Sequence, residues 1–239
     1  MATNVKESAM IFDVCRIGKE VPVKYPGGFD SFTALATAEE VPFLNVRNSS
    51  EAGQAYTNIT SKDKLPWPFV MESIGIRFVA QDPNLPEKAA PYLYAMSKMF
   101  MHLIPEHAWI EFYIREDMRL WLKPHMAPPG YGHYGEFISF VMTQGTTGGN
   151  AGVMGSGFPE ARNRFKMGKD GIEIPRETPI SAKLKFSEYG KKMLIALGDV
   201  PPLATDGGTP PIITLHGEAS IEMTLRGYRL VQQRGDYHN

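Results

Sequence analysis

The chain has 239 residues, 43% hydrophobic and 21% charged, which is enough apolar material for one large core. Its 25 Lys and Arg against 26 Asp and Glu give a net charge of −1, which excludes a global basic field for nucleic acid; any contact with a genome or a membrane has to be local. The single cysteine, Cys15, excludes a disulfide framework within the chain, and no apolar run of about 18 residues offers a membrane-spanning helix.

Residues 1–8 are polar and lack the apolar stretch of a secretory leader, so a cytoplasmic product is expected. The sequons Asn48-Ser-Ser50 and Asn58-Ile-Thr60 then read as chance matches. Residues 1–40 have no sustained periodicity and contain Pro22, Pro26, Gly27 and Gly28. They predict an extended arm with one short strand at 10–15, in which Cys15 serves as a small hydrophobe. Removing residues 1–30 is accordingly expected to leave the β core folded.

Beyond residue 40 strand signals recur. Weak ones lie at 41–46 and 55–59. Residues 69–79 place Val70, Ile74, Ile76 and Phe78 on one face and Met71, Ser73 and Arg77 on the other. A single inserted α-helix is predicted from Pro91, with Leu93, Met96, Phe100 and Leu103 at helical spacing and Pro105 as its stop. Residues 109–115 and 119–123 form a predicted hairpin, with Ile110, Phe112, Ile114, Leu120 and Leu122 inward.

Weaker strands are predicted at 137–142 and 164–167, separated by a glycine-rich surface loop at 145–157. Residues 180–187 alternate most clearly, with Ile180, Ala182, Leu184 and Phe186 on one face. The apolar run 193–197 predicts a strand covered on both sides, and 220–226 alternates again up to a bulge at Gly227. Eight to ten strands with long connections predict a mainly β chain: an antiparallel β-sandwich of jelly-roll type, a single roll with insertions. Its expected organisation is an N-terminal arm at 1–40 and a jelly-roll domain at 41–239.

Chemistry is sparse by comparison. The glycine stretch lacks the G-K-[ST] that brings lysine and hydroxyl to a phosphate, and no G-x-S-x-G elbow occurs. His102, His107, His125, His133, His216 and His238 form neither H-x-H nor H-E-x-x-H. The nearest approach to a ligand pair, His133 with Glu136, sits in a glycine-rich segment. Among strand carboxylates, Glu111 and Glu222 fall on polar faces, as solvated glutamates do. Glu72 falls on a mostly apolar face and is expected to form a structural ion pair. Tyr113, Trp121, Tyr131 and Tyr134 suit either a sugar-binding platform or a subunit interface. No catalytic, cofactor-binding or metal-ligating residue is assigned.

The segments Ala55-Tyr-Thr-Asn-Ile-Thr60, Lys64-Leu-Pro-Trp-Pro-Phe69 and Val70-Met-Glu-Ser-Ile-Gly-Ile-Arg77 resemble the first strands of jelly-roll major capsid proteins from tailless icosahedral phages that enclose a lipid membrane. The ending, Ile221-Glu-Met-Thr-Leu-Arg-Gly-Tyr-Arg-Leu-Val-Gln232, is similar to the last strand of that group. The resemblance implies a viral structural protein, a capsid subunit that self-assembles into an icosahedral shell and has no enzyme activity or cofactor. It implies copies of itself and other capsid proteins as partners, contact with an internal viral membrane, and a place in the virion after assembly in the host cytoplasm. Neither sequence-specific nucleic-acid binding nor a small-molecule substrate is expected. The alternative reading is a carbohydrate-binding jelly-roll module or an enzyme built on one.

Overall fold

A computed structural model describes residues 3–18, 28–44, 57–59, 65–80, 99–127, 134–143, 146–155, 165–198 and 219–233. Eleven strands occur among them, and the chain is an antiparallel β-sandwich of two sheets. The first sheet runs β1 (Thr3–Ile17), β11 (Ala219–Gln233), β3 (Phe69–Ala80), and then an edge made of two short pieces, β8 (Phe165–Lys166) and β9 (Ile172–Ile174). The second runs β2 (Val41–Phe43), β10 (Ile180–Phe186), β4 (Ala108–Ile114), β5 (Asp117–Leu122). A separate hairpin, β6 (Tyr134–Thr143) with β7 (Thr146–Gly155), interrupts the connection from β5 to β8.

Period-2 alternation builds the core. Ile11, Cys15 and Ile17 of β1, Ile221, Met223 and Leu225 of β11, and Ile74, Ile76 and Phe78 of β3 face inward from the first sheet. Val41 and Phe43, Ile110 and Phe112, Ala182 and Leu184, and Leu122 meet them from the second, all in one hydrophobic cluster. Each fully buried side chain of this size contributes roughly 1.5–3 kcal/mol, so the core is the main stabilising term.

The N-terminal segment is therefore more than an arm with a six-residue strand. All fifteen residues of β1 pair with β11, from Thr3 opposite Gln233 to Ile17 opposite Ala219. Phe32, Leu35 and Ala36 are buried in the same core. Loop-like composition at 18–30 hid a strand whose second half alternates cleanly. Within that half, Asp13 takes an inward position with none of its surface exposed. Its carboxylate accepts from the Leu44 amide at 2.7 Å and the Val14 amide at 3.0 Å, fastening the end of β2 to β1. Leu44 sits at φ 65°, a left-handed conformation in which this bond helps hold it.

β1 is an edge strand, and Asn58 closes part of that edge. Its carboxamide oxygen accepts from the Phe12 amide at 2.9 Å, and its nitrogen donates to the Met10 carbonyl at 2.7 Å. The Asn58 amide adds a bond to the Phe12 carbonyl at 3.3 Å. The side chain thus substitutes for a short piece of missing strand.

The expected bulge at Gly227 is present, and the extra residue is Glu72 on the neighbouring strand: Arg226 pairs Ser73, while Gly227 pairs Met71. A Cβ at Gly227 would run into the Val70 carbonyl, so only glycine lets the strands approach this closely. The bulge also shifts the phase of β3. Phe69 and Met71 are buried on one side of it and Ile74, Ile76 and Phe78 on the other. Glu72 is exposed in place of the buried carboxylate expected, and its carbonyl accepts from the Met167 amide at 2.9 Å, where the edge breaks between β8 and β9.

Two α-helices are present where none was expected. α1 (Phe32–Thr37) is capped by Ser31, whose hydroxyl accepts from the Ala34 amide at 3.1 Å. α2 (Glu188–Gly198) replaces the strand expected at 193–197. Ser187 caps it, its hydroxyl accepting from the Gly190 amide and its carbonyl from the Lys191 amide. Gly190, Leu194 and Leu197 are buried at helical spacing. The expected helix at 91–103 is described only at its end, where Met99–Leu103 forms a π-helical turn and Ile104–His107 a 3₁₀ turn; residues 91–98 lie outside the described residues. Residues 146–155 of the expected glycine-rich loop form β7 instead. There the partner strand supplies the β propensity, and glycines need only their backbone to pair.

The helical elements gather at one end of the sandwich: α1 packs on α2, which meets the 3₁₀ turn, which in turn meets a second 3₁₀ turn at Pro124–Met126. Phe100 knits them to the sheets, its ring 5.1 Å from Phe32 and 5.3 Å from Phe78 in edge-to-face contacts.

Candidate binding face on the second sheet

β4 alternates strictly, so Trp109, Glu111 and Tyr113 leave the core together on the outer face of the second sheet. Neighbouring strands complete that face. Lys185 lies across from Trp109, Lys183 from Glu111 and Ser181 from Tyr113 on β10. On β5, Trp121 lies opposite Glu111 and Met118 opposite Tyr113. Phe112 pairs Leu120, so Arg119 is an unopposed extra residue. This bulge turns both Met118 and Trp121 outward while Leu122 stays in the core. Met118 is 54% exposed and Trp121 57%, an unusual density of large apolar surface on one edge strand.

Glu111 is the centre of the face. Although on an outer face, it is only 9% exposed, because its neighbours close over it. Its carboxylate accepts from the Lys185 ammonium at 2.8 Å, the Tyr113 hydroxyl at 2.7 Å and the Trp109 indole N–H at 3.1 Å. Burial works to raise the Glu111 pKa, but the bonds from Lys185, Tyr113 and Trp109 outweigh it and hold the pKa below its ordinary value. The same contacts raise Tyr113 and Lys185 above theirs, in each case mainly through the hydrogen bond to Glu111. Lys183 pairs Glu40 at 2.8 Å, and its ammonium lies 5.9 Å from the Tyr113 ring centroid. Glu111 was expected to be a solvated surface glutamate. Strict alternation identifies its face, but only the cross-strand register reveals Lys185 beside it.

The remaining singled-out residues scatter. Cys15 is buried within β1. Glu222 forms a two-pronged pair with Arg77, at 3.1 and 3.2 Å, on the outer face of the first sheet. His107 packs its ring against Tyr189 at 4.7 Å, His102 sits in the π-helical turn, and His125 is exposed. Tyr134 and Glu136 fall on β6, while Tyr131, His133, His216 and His238 lie outside the described residues. Among the described residues no group of three or more His, Cys, Asp or Glu could hold a metal ion, and no helix is long and apolar enough to cross a membrane. No family model, curated protein or solved structure matches the chain.

Proposed function

We propose that the chain is a shell-forming structural subunit with a jelly-roll fold, the class that its strand segments resemble. The strand order supports this reading. With β8 and β9 counted as halves of one strand, eight sandwich strands run 1-8-3-6 in one sheet and 2-7-4-5 in the other. The pairs 1 with 8, 2 with 7, 3 with 6 and 4 with 5 are those of one long hairpin ribbon rolled up on itself. Viral shell proteins and lectins both use this roll, and the fold alone does not choose between them.

The helical end favours assembly. Connections from β1 to β2, β3 to β4 and β10 to β11 carry α1, the 3₁₀ turn and α2, which pack together. This end exposes Leu103 (45%), Met126 (51%) and Tyr189 (61%), side chains that a neighbouring subunit would cover. Contact with other capsid proteins and with an internal viral membrane, and a place in the virion, follow from the resemblance. Sedimentation velocity and negative-stain microscopy of the purified chain test the reading. Rings, pseudo-hexameric arrays or shells are expected, and replacing Met126 and Tyr189 with serine should dissolve them without changing the circular dichroism. A strict monomer at every accessible concentration would end the proposal.

A further inference from the structure

We infer that the outer face of the second sheet is a binding site for an uncharged saccharide chain. This goes beyond the shell reading and uses a different surface from the helical end. Trp109 and Tyr113 flank Glu111 on one strand, and Glu111 accepts both the indole N–H and the phenol O–H. With their polar atoms fastened to the sheet, the two rings are held in place, and their apolar bodies line the floor. Trp121, one strand over and opposite Glu111, stands most clear of the surface. Such rings stack on the C–H face of a pyranose at little conformational cost, because they are ordered before the ligand arrives.

The charges decide which saccharide. Lys185 is balanced by Glu111 and Lys183 by Glu40, both at 2.8 Å, so the four groups sum to zero. Around Glu111 a sulfated or phosphorylated chain would meet only lysines already held in ion pairs and would have to break one of them, the exposed Lys123 lying at the far end of β5 beyond Trp121. A neutral sugar instead finds a hydroxyl at Ser181 and the lone-pair capacity that three donors leave on Glu111. Trp109 and Tyr113 are four residues apart on one strand, about 13 Å at the usual rise, which suits several linked sugars rather than one.

Titration of the full-length chain with cellohexaose, chitohexaose and maltohexaose, followed by tryptophan fluorescence and calorimetry, tests the inference, with a heparin hexasaccharide as acidic comparator. Saturable binding of at least one neutral hexasaccharide is expected, insensitive to added salt. Trp121→Ala should weaken it roughly tenfold or more, as loss of a central aromatic anchor does. Trp121 is exposed, so this variant should fold, and Lys169→Ala, in the turn after β8 at the edge of the other sheet, should leave binding unchanged. No binding of any neutral hexasaccharide, tighter binding of the heparin fragment, or indifference to Trp121→Ala would each overturn the inference. So would loss of self-association in Trp121→Ala without any sugar binding, which would make the face a subunit contact and leave the shell reading standing.

Discussion

Replacing Glu111 with glutamine keeps the shape of the side chain and removes its charge, which isolates what the carboxylate contributes. Glutamine can still accept from two of the three donors, but its NH₂ group then faces a donor at the third. The lost charge is paired with Lys185 at 2.8 Å, with the Lys185 side chain 30% exposed and that of Glu111 12%. Hydrogen bonds to charged groups are worth about 1.5–3 kcal/mol each, and solvent at Lys185 places this pair toward the lower end. A net loss of about 2 kcal/mol at neutral pH is therefore expected, or roughly 4–8 °C in Tm for a chain of this size. The pH dependence is the sharper test. The folded pKa of Glu111 is depressed, so its stabilisation is present above the unfolded value near 4.3 and is lost as pH falls through the folded value. Lys185 and Tyr113 are raised, so their share is present below about 10 and is lost as pH rises through their folded values. Urea unfolding of the wild type and Glu111→Gln across the pH range should show the largest gap between these limits, closing at both ends. A gap that is equally large below about pH 3 would refute the assignment of the stabilisation to the charged carboxylate.

Deleting residues 1–30 should abolish cooperative thermal unfolding, because it removes a fifteen-residue strand and the buried Ile11, Cys15 and Ile17; a sharp melt in the truncated chain would show β1 to be dispensable. Asp13→Ala should cost about 2–3 kcal/mol by urea titration, since it strands the buried Leu44 amide and opens a void, and a loss under about 1 kcal/mol would mean that solvent reaches this site. In Gly227→Ala the new methyl meets the backbone of Val70 and Met71, which cannot move aside cheaply, so a loss of about 2–3 kcal/mol is expected by the same measurement. Arg115 holds φ 59° in the β4–β5 turn, so Arg115→Gly should be neutral or raise stability by up to about 1 kcal/mol; a clear decrease would show that the arginine side chain does more than turn the corner.

Legibility in the sequence followed the reach of each signal. Strands β3, β4, β5, β10 and β11 were readable because their alternation is set by which face meets the core, and that pattern is local. The helix α2 was also written locally, in the cap Ser187 and in Gly190, Leu194 and Leu197 at helical spacing, but the continuous apolar run 193–197 masked it. The length of β1 was not readable, because residues 3–10 gain their strand character from pairing with β11 at the far end of the chain. The bulge was half readable. Gly227 signals it, yet the extra residue is Glu72, some 155 positions earlier, and its exposure reverses the face assigned to Met71.

The candidate face depends on the same kind of long-range register. Trp109, Glu111 and Tyr113 are neighbours by sequence, but a surface glutamate between two aromatic residues is unremarkable until Lys185 is brought beside it by the β4–β10 pairing and Trp121 by the β4–β5 pairing. One further irregularity is required: were Arg119 paired in regular alternation instead of bulged, Met118 would lie on the opposite side of β5 from Trp121. Two bulges therefore have different consequences. The one at Glu72 keeps both halves of β3 facing the core, and the one at Arg119 gathers apolar side chains on the outside. The second moves a methionine into water beside an already exposed tryptophan, which packing of the core does not reward. That cost, about 1 kcal/mol or more in unburied apolar surface, is the physical reason to regard this face as a surface with a ligand.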